Sequence, residues 1–107
     1  DTLAAIELAK AKGAIIIGVC NVVGSSIART SHAGSYTHAG PEIGVASTKA
    51  FTAQLTVLSM ICLIIAQKRG TITDQAFHQM LVELETIPDK VEKVLKLNDA
   101  IREIAFT

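Results

Sequence analysis

The stretch Pro41-Glu42-Ile43-Gly44-Val45-Ala46-Ser47-Thr48-Lys49 holds the residue types best suited to touching a ligand. Gly44 and Ala46 leave room for close approach, Ser47 and Thr48 carry hydroxyls, and Lys49 carries a positive charge. Backbone N–H groups at a helix start also suit an anionic or hydroxylated ligand. The same residue types cap helices and let helices pack, so the pattern alone leaves ligand binding and helix capping both open. A second small-residue stretch, Asn21-Val22-Val23-Gly24-Ser25-Ser26, is able to line the same crevice, although an ordinary strand-to-helix turn is the simpler account. The sequence has no GxGxxG, P-loop or GxSxG pattern.

The remaining reactive side chains do not assemble into a centre. His32 and His38 are six positions apart across a glycine-containing strand, with no carboxylate or thiol at ligand spacing. His78 lies on a charged helix and is expected to face solvent. Cys20 closes an apolar run and Cys62 lies in an apolar helix. Nothing near either would depress a thiol pKa, so both are expected to be small buried hydrophobes. No metal site is predicted, and no catalytic residue is assigned from the pattern.

The elements that must position these residues are read from composition and periodicity. Ten basic and ten acidic residues cancel in a chain of 107, which lacks the basic excess that binding phosphate backbones requires. Half the residues are hydrophobic, which excludes a disordered tail. The two cysteines form no CxxC pattern, as expected of a reducing compartment. Residues 1–67 carry seven charged side chains and residues 68–107 carry thirteen, so the first part reads as α/β core and the second as helices with a solvated face.

Leu3, Ile6 and Ala9 step at helical spacing, and Gly13 ends that helix. Ala14 to Cys20 reads as a strand buried on both faces, as in parallel sheets. Ser25 is placed to cap one helical turn. Ser35-Tyr36-Thr37 allows a second strand. A long helix is expected from Pro41 to Lys68, with Glu42 at the positive end of its dipole and Gly70 as its stop. Thr73 caps the next helix, whose apolar stripe is Phe77, Met80, Leu81 and Leu84. Pro88 opens another, and Asp99 is expected to cap a last one. Helix, strand, short helix, strand and long helix make an α/β doubly wound pattern with a partial parallel sheet of two short strands, followed by C-terminal helices. With only two strands visible, and helical pattern running to both ends, the chain is expected to be a piece of a longer protein.

The segment from Ile43 to Ala66 is 24 residues long, enough to span roughly 30 Å of hydrocarbon as a helix. Its first half contains Ser47, Thr48, Lys49, Thr52 and Gln54, and a lysine near a span centre costs about 2.5–3.5 kcal/mol. The uninterrupted apolar part, Leu55 to Ala66, is 12 residues, the length of a buried core helix. No membrane association is expected.

At Cys20-Asn21-Val22-Val23-Gly24-Ser25-Ser26, and from Ala39 through Gly40-Pro41-Glu42-Ile43-Gly44-Val45-Ala46-Ser47-Thr48-Lys49 to Gln54, the chain closely resembles the isomerase half of the glutamine–fructose-6-phosphate aminotransferase family. The resemblance covers essentially the whole chain. It implies a flavodoxin-like sugar-isomerase (SIS) fold, with residues 1–86 as the second half of the first SIS domain and residues 87–107 as linker helices leading toward a second. It implies a cytoplasmic enzyme that makes glucosamine 6-phosphate and glutamate from fructose 6-phosphate and glutamine, using ammonia from a glutaminase domain of the same parent chain. No metal or organic cofactor is implied.

Carried over by position, the resemblance makes Val45, Ala46 and Ser47 substrate-binding residues, with Glu42 and Lys49 supporting the site. The family's Ser-Gln-Ser-Gly-Glu-Thr phosphate loop normally ends just before an Asp-Thr pair like Asp1-Thr2, and its catalytic glutamate, histidine and lysine match no position here. The chain alone is therefore expected to be inactive. It is also expected to self-associate as a homo-oligomer, by pairing exposed sheet edges. The alternative is a phosphosugar-sensing SIS module of a regulator.

Overall fold

The computed structural model describes residues 1–44 and 47–106. The chain divides into two compact units, Asp1–Ile61 and Cys62–Thr107.

The first unit begins with α1 (Thr2–Ala11), whose buried residue is Ile6. Gly13 ends it in the left-handed region (φ 79°), with Ala14 N–H donating to Ala9 C=O and Gly13 N–H to Lys10 C=O. This bond pair answers helix carbonyls that would otherwise lack a donor. β1 (Ile17–Cys20) follows, then α2 (Ser26–Thr30) and β2 (Ala33–Tyr36). The two strands pair in parallel, Ile17 opposite Ala33 and Cys20 opposite Tyr36. Ser25 Oγ accepts from Ala28 N–H at 3.3 Å, which is the expected cap of α2. The Arg29 guanidinium closes the same turn by donating to the Gly24 carbonyl.

Three expectations for this unit need correction. The predicted strand over 14–20 is laddered only from Ile17, opposite Ala33 at the start of β2, with the His32 N–H donating to the Ile16 carbonyl just before it. Ile16 also donates its N–H to His32 Nδ1 at 2.9 Å. The strand is not buried on both faces: Gly18 and Cys20 are buried, whereas Ile17 is 58% exposed. The second strand starts two residues before the predicted Ser35, through Gly34. That glycine sits opposite Gly18, where a side chain has no room.

The third correction concerns the long helix. α3 spans Lys49–Lys68, so it starts eight residues after Pro41. Gly44 sits in the left-handed region (φ 66°), which a continuing helix does not permit. Among the described residues only Ala50 of α3 is buried; Phe51, Leu55 and Leu58 are each about half exposed. Cys62, expected to be buried in this helix, is exposed. Apolar periodicity marks what a helix is able to bury and does not by itself supply a covering layer. By length and composition alone α3 is apolar enough to cross a membrane, with a mean hydropathy of 1.8 over its most apolar window.

The second unit is helical. α3 stops at Gly70 (φ 65°), with Thr71 N–H donating to Ala66 C=O and Gly70 N–H to Gln67 C=O. α4 (Asp74–Glu85) is capped by Thr73, whose hydroxyl accepts from Ala76 N–H at 3.1 Å. Phe77, Leu81 and Leu84 form its half-buried stripe. α5 (Ile87–Leu95) opens with Pro88 in its first turn, as predicted. α6 (Asn98–Ala105) is preceded by Leu97, so Asp99 lies inside the first turn and is not the cap. There its charge still favours the positive helix end.

Candidate functional site

Parallel pairing brings the carboxyl ends of β1 and β2 to one edge of the sheet, and the segment leading into α3 leaves from that edge. Thr37 N–H donates to Cys20 C=O at 2.9 Å and extends the ladder one step beyond β2. Asn21, the first residue after β1, then turns its side chain onto the opposite strand's continuation. Its Oδ1 accepts from Ala39 N–H at 2.8 Å and from Thr37 Oγ1 at 3.1 Å, while its Nδ2 donates to the Gly40 carbonyl at 2.7 Å. Between these bonds the backbone takes left-handed conformations at His38 (φ 50°) and Gly40 (φ 73°). A single carboxamide thus ties down a segment that lies 16–19 residues away in sequence.

The second tie is Glu42. Its Oε1 accepts from Thr48 N–H at 3.1 Å and from Ala50 N–H at 3.2 Å. These are among the N–H groups that the start of α3 leaves without intrahelical partners. The sequence placed Glu42 inside the helix's first turn. It instead lies outside the helix and folds back on it, which serves the same electrostatics through a longer reach. The Glu42 carboxyl is held below its ordinary value, chiefly by the Ala50 N–H. Partial burial opposes the shift, and the Thr48 N–H, the Ser47 hydroxyl and the Lys49 charge add to it. Glu42 is therefore an anion at neutral pH.

Lys49 connects the two ties. A methyl group built on Gly40 would lie 3.6 Å from Lys49 Nζ, so the ammonium sits over the glycine whose carbonyl Asn21 holds. Ser47, Thr48 and Lys49 are exposed. Val45 and Ala46, predicted to contact substrate, lie outside the described residues. The structure therefore brings Glu42, Ser47 and Lys49 together at the carboxyl edge of the sheet. The arrangement presents a hydroxyl and an ammonium on a connector pinned at both ends.

The histidine rings make other contacts, although His38 itself lies within the segment that Asn21 holds. His32 Nδ1 is an acceptor for Ile16 N–H, which fixes its ring as a structural link between β1 and the start of β2. His38 packs its ring 6.1 Å from Tyr36. His78 is exposed on α4, with Nδ1 2.8 Å from the Asp74 carbonyl. Among the described residues no group of three or more His, Cys, Asp or Glu is placed to hold a metal ion. A small cavity lined by Gly18, Cys20, Ser31, His32 and Tyr36 lies along the strands. Two of its polar walls already have partners: Ser31 Oγ donates to Ile27 C=O, and His32 accepts from Ile16.

Sequence reasoning singled out the stretch from Asn21 to Ser26 but missed what Asn21 does. No local pattern reports a bond to residues so distant in sequence. The available signal is an asparagine directly after an apolar strand in a place where Ser25, not Asn21, caps the next helix.

Residues 1–64 match the SIS domain family. The chain belongs to that family. A glutamine–fructose-6-phosphate aminotransferase (isomerizing) of Bacteroides thetaiotaomicron is 57% identical over 107 residues, all of this chain and 17% of that protein. The protein of the same name from Chlorobaculum tepidum is 57% identical over 105 residues, 98% of this chain and 17% of its own length. Among solved structures, the C-terminal domain of glucosamine-fructose-6-phosphate aminotransferase from Francisella tularensis superposes with a TM-score of 0.91 at 40% identity. That match covers 96% of this chain and 29% of the other. The SIS chain described here thus spans about one sixth of the length of the relatives it matches. Its α/β architecture, with two parallel strands and flanking helices, is that of the corresponding part of the solved relative.

Proposed function

We propose that this chain forms one wall of the sugar-phosphate site of a glutamine–fructose-6-phosphate aminotransferase, an enzyme that converts fructose 6-phosphate and glutamine to glucosamine 6-phosphate and glutamate. The observation that carries the reading is the connector between β2 and α3. It leaves the carboxyl edge of a parallel sheet, where ligands bind in doubly wound folds, and it is pinned by Asn21 and Glu42. The identity of 57% to proteins of that name supports the same reading.

In this reading Val45, Ala46 and Ser47 contact the sugar, with Ser47 supplying a hydroxyl and small side chains letting the hexose approach main chain. Glu42 and Lys49 hold the connector in place. Residues 1–86 form the second half of an SIS domain, and residues 87–107 lead as linker helices toward another. Proton transfer and ammonia delivery belong to residues outside this chain, including a glutaminase domain, so the chain by itself has no turnover. The parent is a cytoplasmic homo-oligomer that uses no organic cofactor or metal and binds neither nucleic acid nor membrane.

The test is a steady-state assay of the full-length parent for glucosamine 6-phosphate formed from fructose 6-phosphate and glutamine. The Ser47→Ala variant is expected to raise KM for fructose 6-phosphate by about tenfold, the size of one lost hydrogen bond to a charged or well-ordered partner. Absence of product from the unmodified parent, or an unchanged KM in the variant, refutes the reading.

A further inference from the structure

We propose that Asn21 is a positioning residue for the hexose-phosphate site, setting the course of residues 37–40 and, through Gly40, the placement of Lys49 and the approach to Ser47. The proposal rests on the reading that the 42–49 stretch meets a hexose phosphate.

Three observations carry it. First, the Asn21 carboxamide directs three bonds onto a single four-residue segment: Ala39 N–H and Thr37 Oγ1 donate to Oδ1, and Nδ2 donates to the Gly40 carbonyl. An asparagine that serves only its own turn bonds to backbone groups two to four residues away. Asn21 instead reaches across the sheet edge.

Second, the set of partners demands a carboxamide. Two donors and one acceptor on the segment call for an acceptor and a donor on one short, planar group. Aspartate supplies the acceptor but turns an oxygen toward the Gly40 carbonyl. Serine has one polar atom, and glutamine is one methylene too long for the same place.

Third, the far end of the clamp is where the site residues begin. Gly40 is left-handed and has the Lys49 ammonium over its α-carbon, and two residues later Glu42 makes the tie to Thr48 and Ala50. Asn21 and Glu42 therefore lie on either side of Gly40 and the residues that follow it. A displacement at Gly40 reaches the Lys49 ammonium that lies over it. The strand pairing itself does not depend on Asn21, since the ladder from Ile17 to Cys20 and the Thr37 N–H bond to Cys20 are main-chain bonds.

The test uses the full-length parent with Asn21→Asp and, as a milder variant, Thr37→Val, which removes one of the three bonds. Asn21→Asp is expected to raise KM for fructose 6-phosphate by about tenfold or more, since small misplacements of binding groups have large effects. The change in kcat should stay within about twofold, and Tm within about 2 °C of the unmodified protein. Thr37→Val is expected to raise KM by about threefold with the same split. An unchanged KM in Asn21→Asp while Ser47→Ala weakens binding overturns the proposal and leaves the site reading standing. A parallel fall in Tm and kcat with KM unmoved also overturns it, because that is the signature of a purely structural role. If Asn21→Asp does not fold, Thr37→Val decides, and an unchanged KM there refutes the proposal. A parent that does not turn over fructose 6-phosphate at all refutes the site reading and the proposal with it.

Discussion

The first unit, Asp1–Ile61, and the second, Cys62–Thr107, are held by different kinds of bond. In the first, polar side chains reach far along the sequence: Asn21 to Gly40 and His32 to Ile16. In the second, the side-chain bonds of Thr73, Gln67, Lys90 and Lys96 are local or lie on the surface. Thr73 caps its own helix, Gln67 donates to Asp74 at 3.1 Å, and the ion pairs Lys90–Glu83 and Lys96–Glu92 span 2.6 and 3.5 Å with both partners exposed. Ile6, Gly18, Cys20 and Ala50 are buried in the first unit, and among the described residues none is buried in the second. The difference separates what fixes a site from what forms a helix. Long-range ties fix the relative placement of backbone segments, whereas caps and ion pairs only decide where each helix starts and stops.

The sharpest break of this contrast is Gly34→Ala. A β-carbon there would fall well inside contact distance of the Gly18 carbonyl oxygen, backbone against backbone, with nothing flexible to yield. We expect destabilisation of about 3 kcal/mol or more, at the top of the range for overpacking. The readout is loss of amide-exchange protection over Ile17–Cys20, with α4 unaffected.

Glu42→Gln comes next, because two helix-start N–H groups lose a charged acceptor. The sign of its pH dependence follows from the lowered carboxyl. A group whose folded-state pKa lies below its unfolded value of 4.5 adds stability that is complete above the unfolded value and is lost as pH falls through the lowered one. The stability difference between unmodified protein and Glu42→Gln should therefore be constant near neutral pH and shrink below the ordinary carboxyl range. A difference that grew on acidification would contradict the assignment.

Thr73→Ala tests the second unit. Loss of this cap is expected to cost about 1 kcal/mol, read as roughly fivefold faster exchange of the first-turn amides of α4 with β1 unchanged. The smallest effect is expected for Lys90→Ala. Lys90 and Glu83 are 53% and 65% exposed, so the pair is screened by water and salt. Glu83 is held below its ordinary pKa by its hydrogen bond and charge interaction with Lys90. NMR titration should show that shift relax in the variant, with little change in Tm.

Legibility in the sequence follows the same division. Ser25, Thr73, Gly13, Gly70 and Pro88 act where their types place them, because caps and stops depend on groups within a few residues. The two parallel strands were legible from the apolar run and the strand-turn-helix order. The path from Pro41 to Thr48 was not. Proline, an acid and small residues suit a helix start, but Gly44 and the fold-back of Glu42 make the segment a connector instead. Cys62 was misplaced for a related reason: apolar spacing predicts burial only if something covers the helix. The need for glycine at position 34 was not legible, because it depends on Gly18 across the ladder, sixteen positions away. Of the residues near this edge, Glu42, Ser47 and Lys49 were singled out in the sequence, whereas the bonds that Asn21 makes were hidden by sequence distance.

The Glu42 carboxylate also decides how the head of α3 is neutralised. By accepting from the Thr48 and Ala50 N–H groups, it sets a negative charge against the positive end of a 20-residue helix. The helix thus carries its own counter-ion at neutral pH, supplied from a residue outside it.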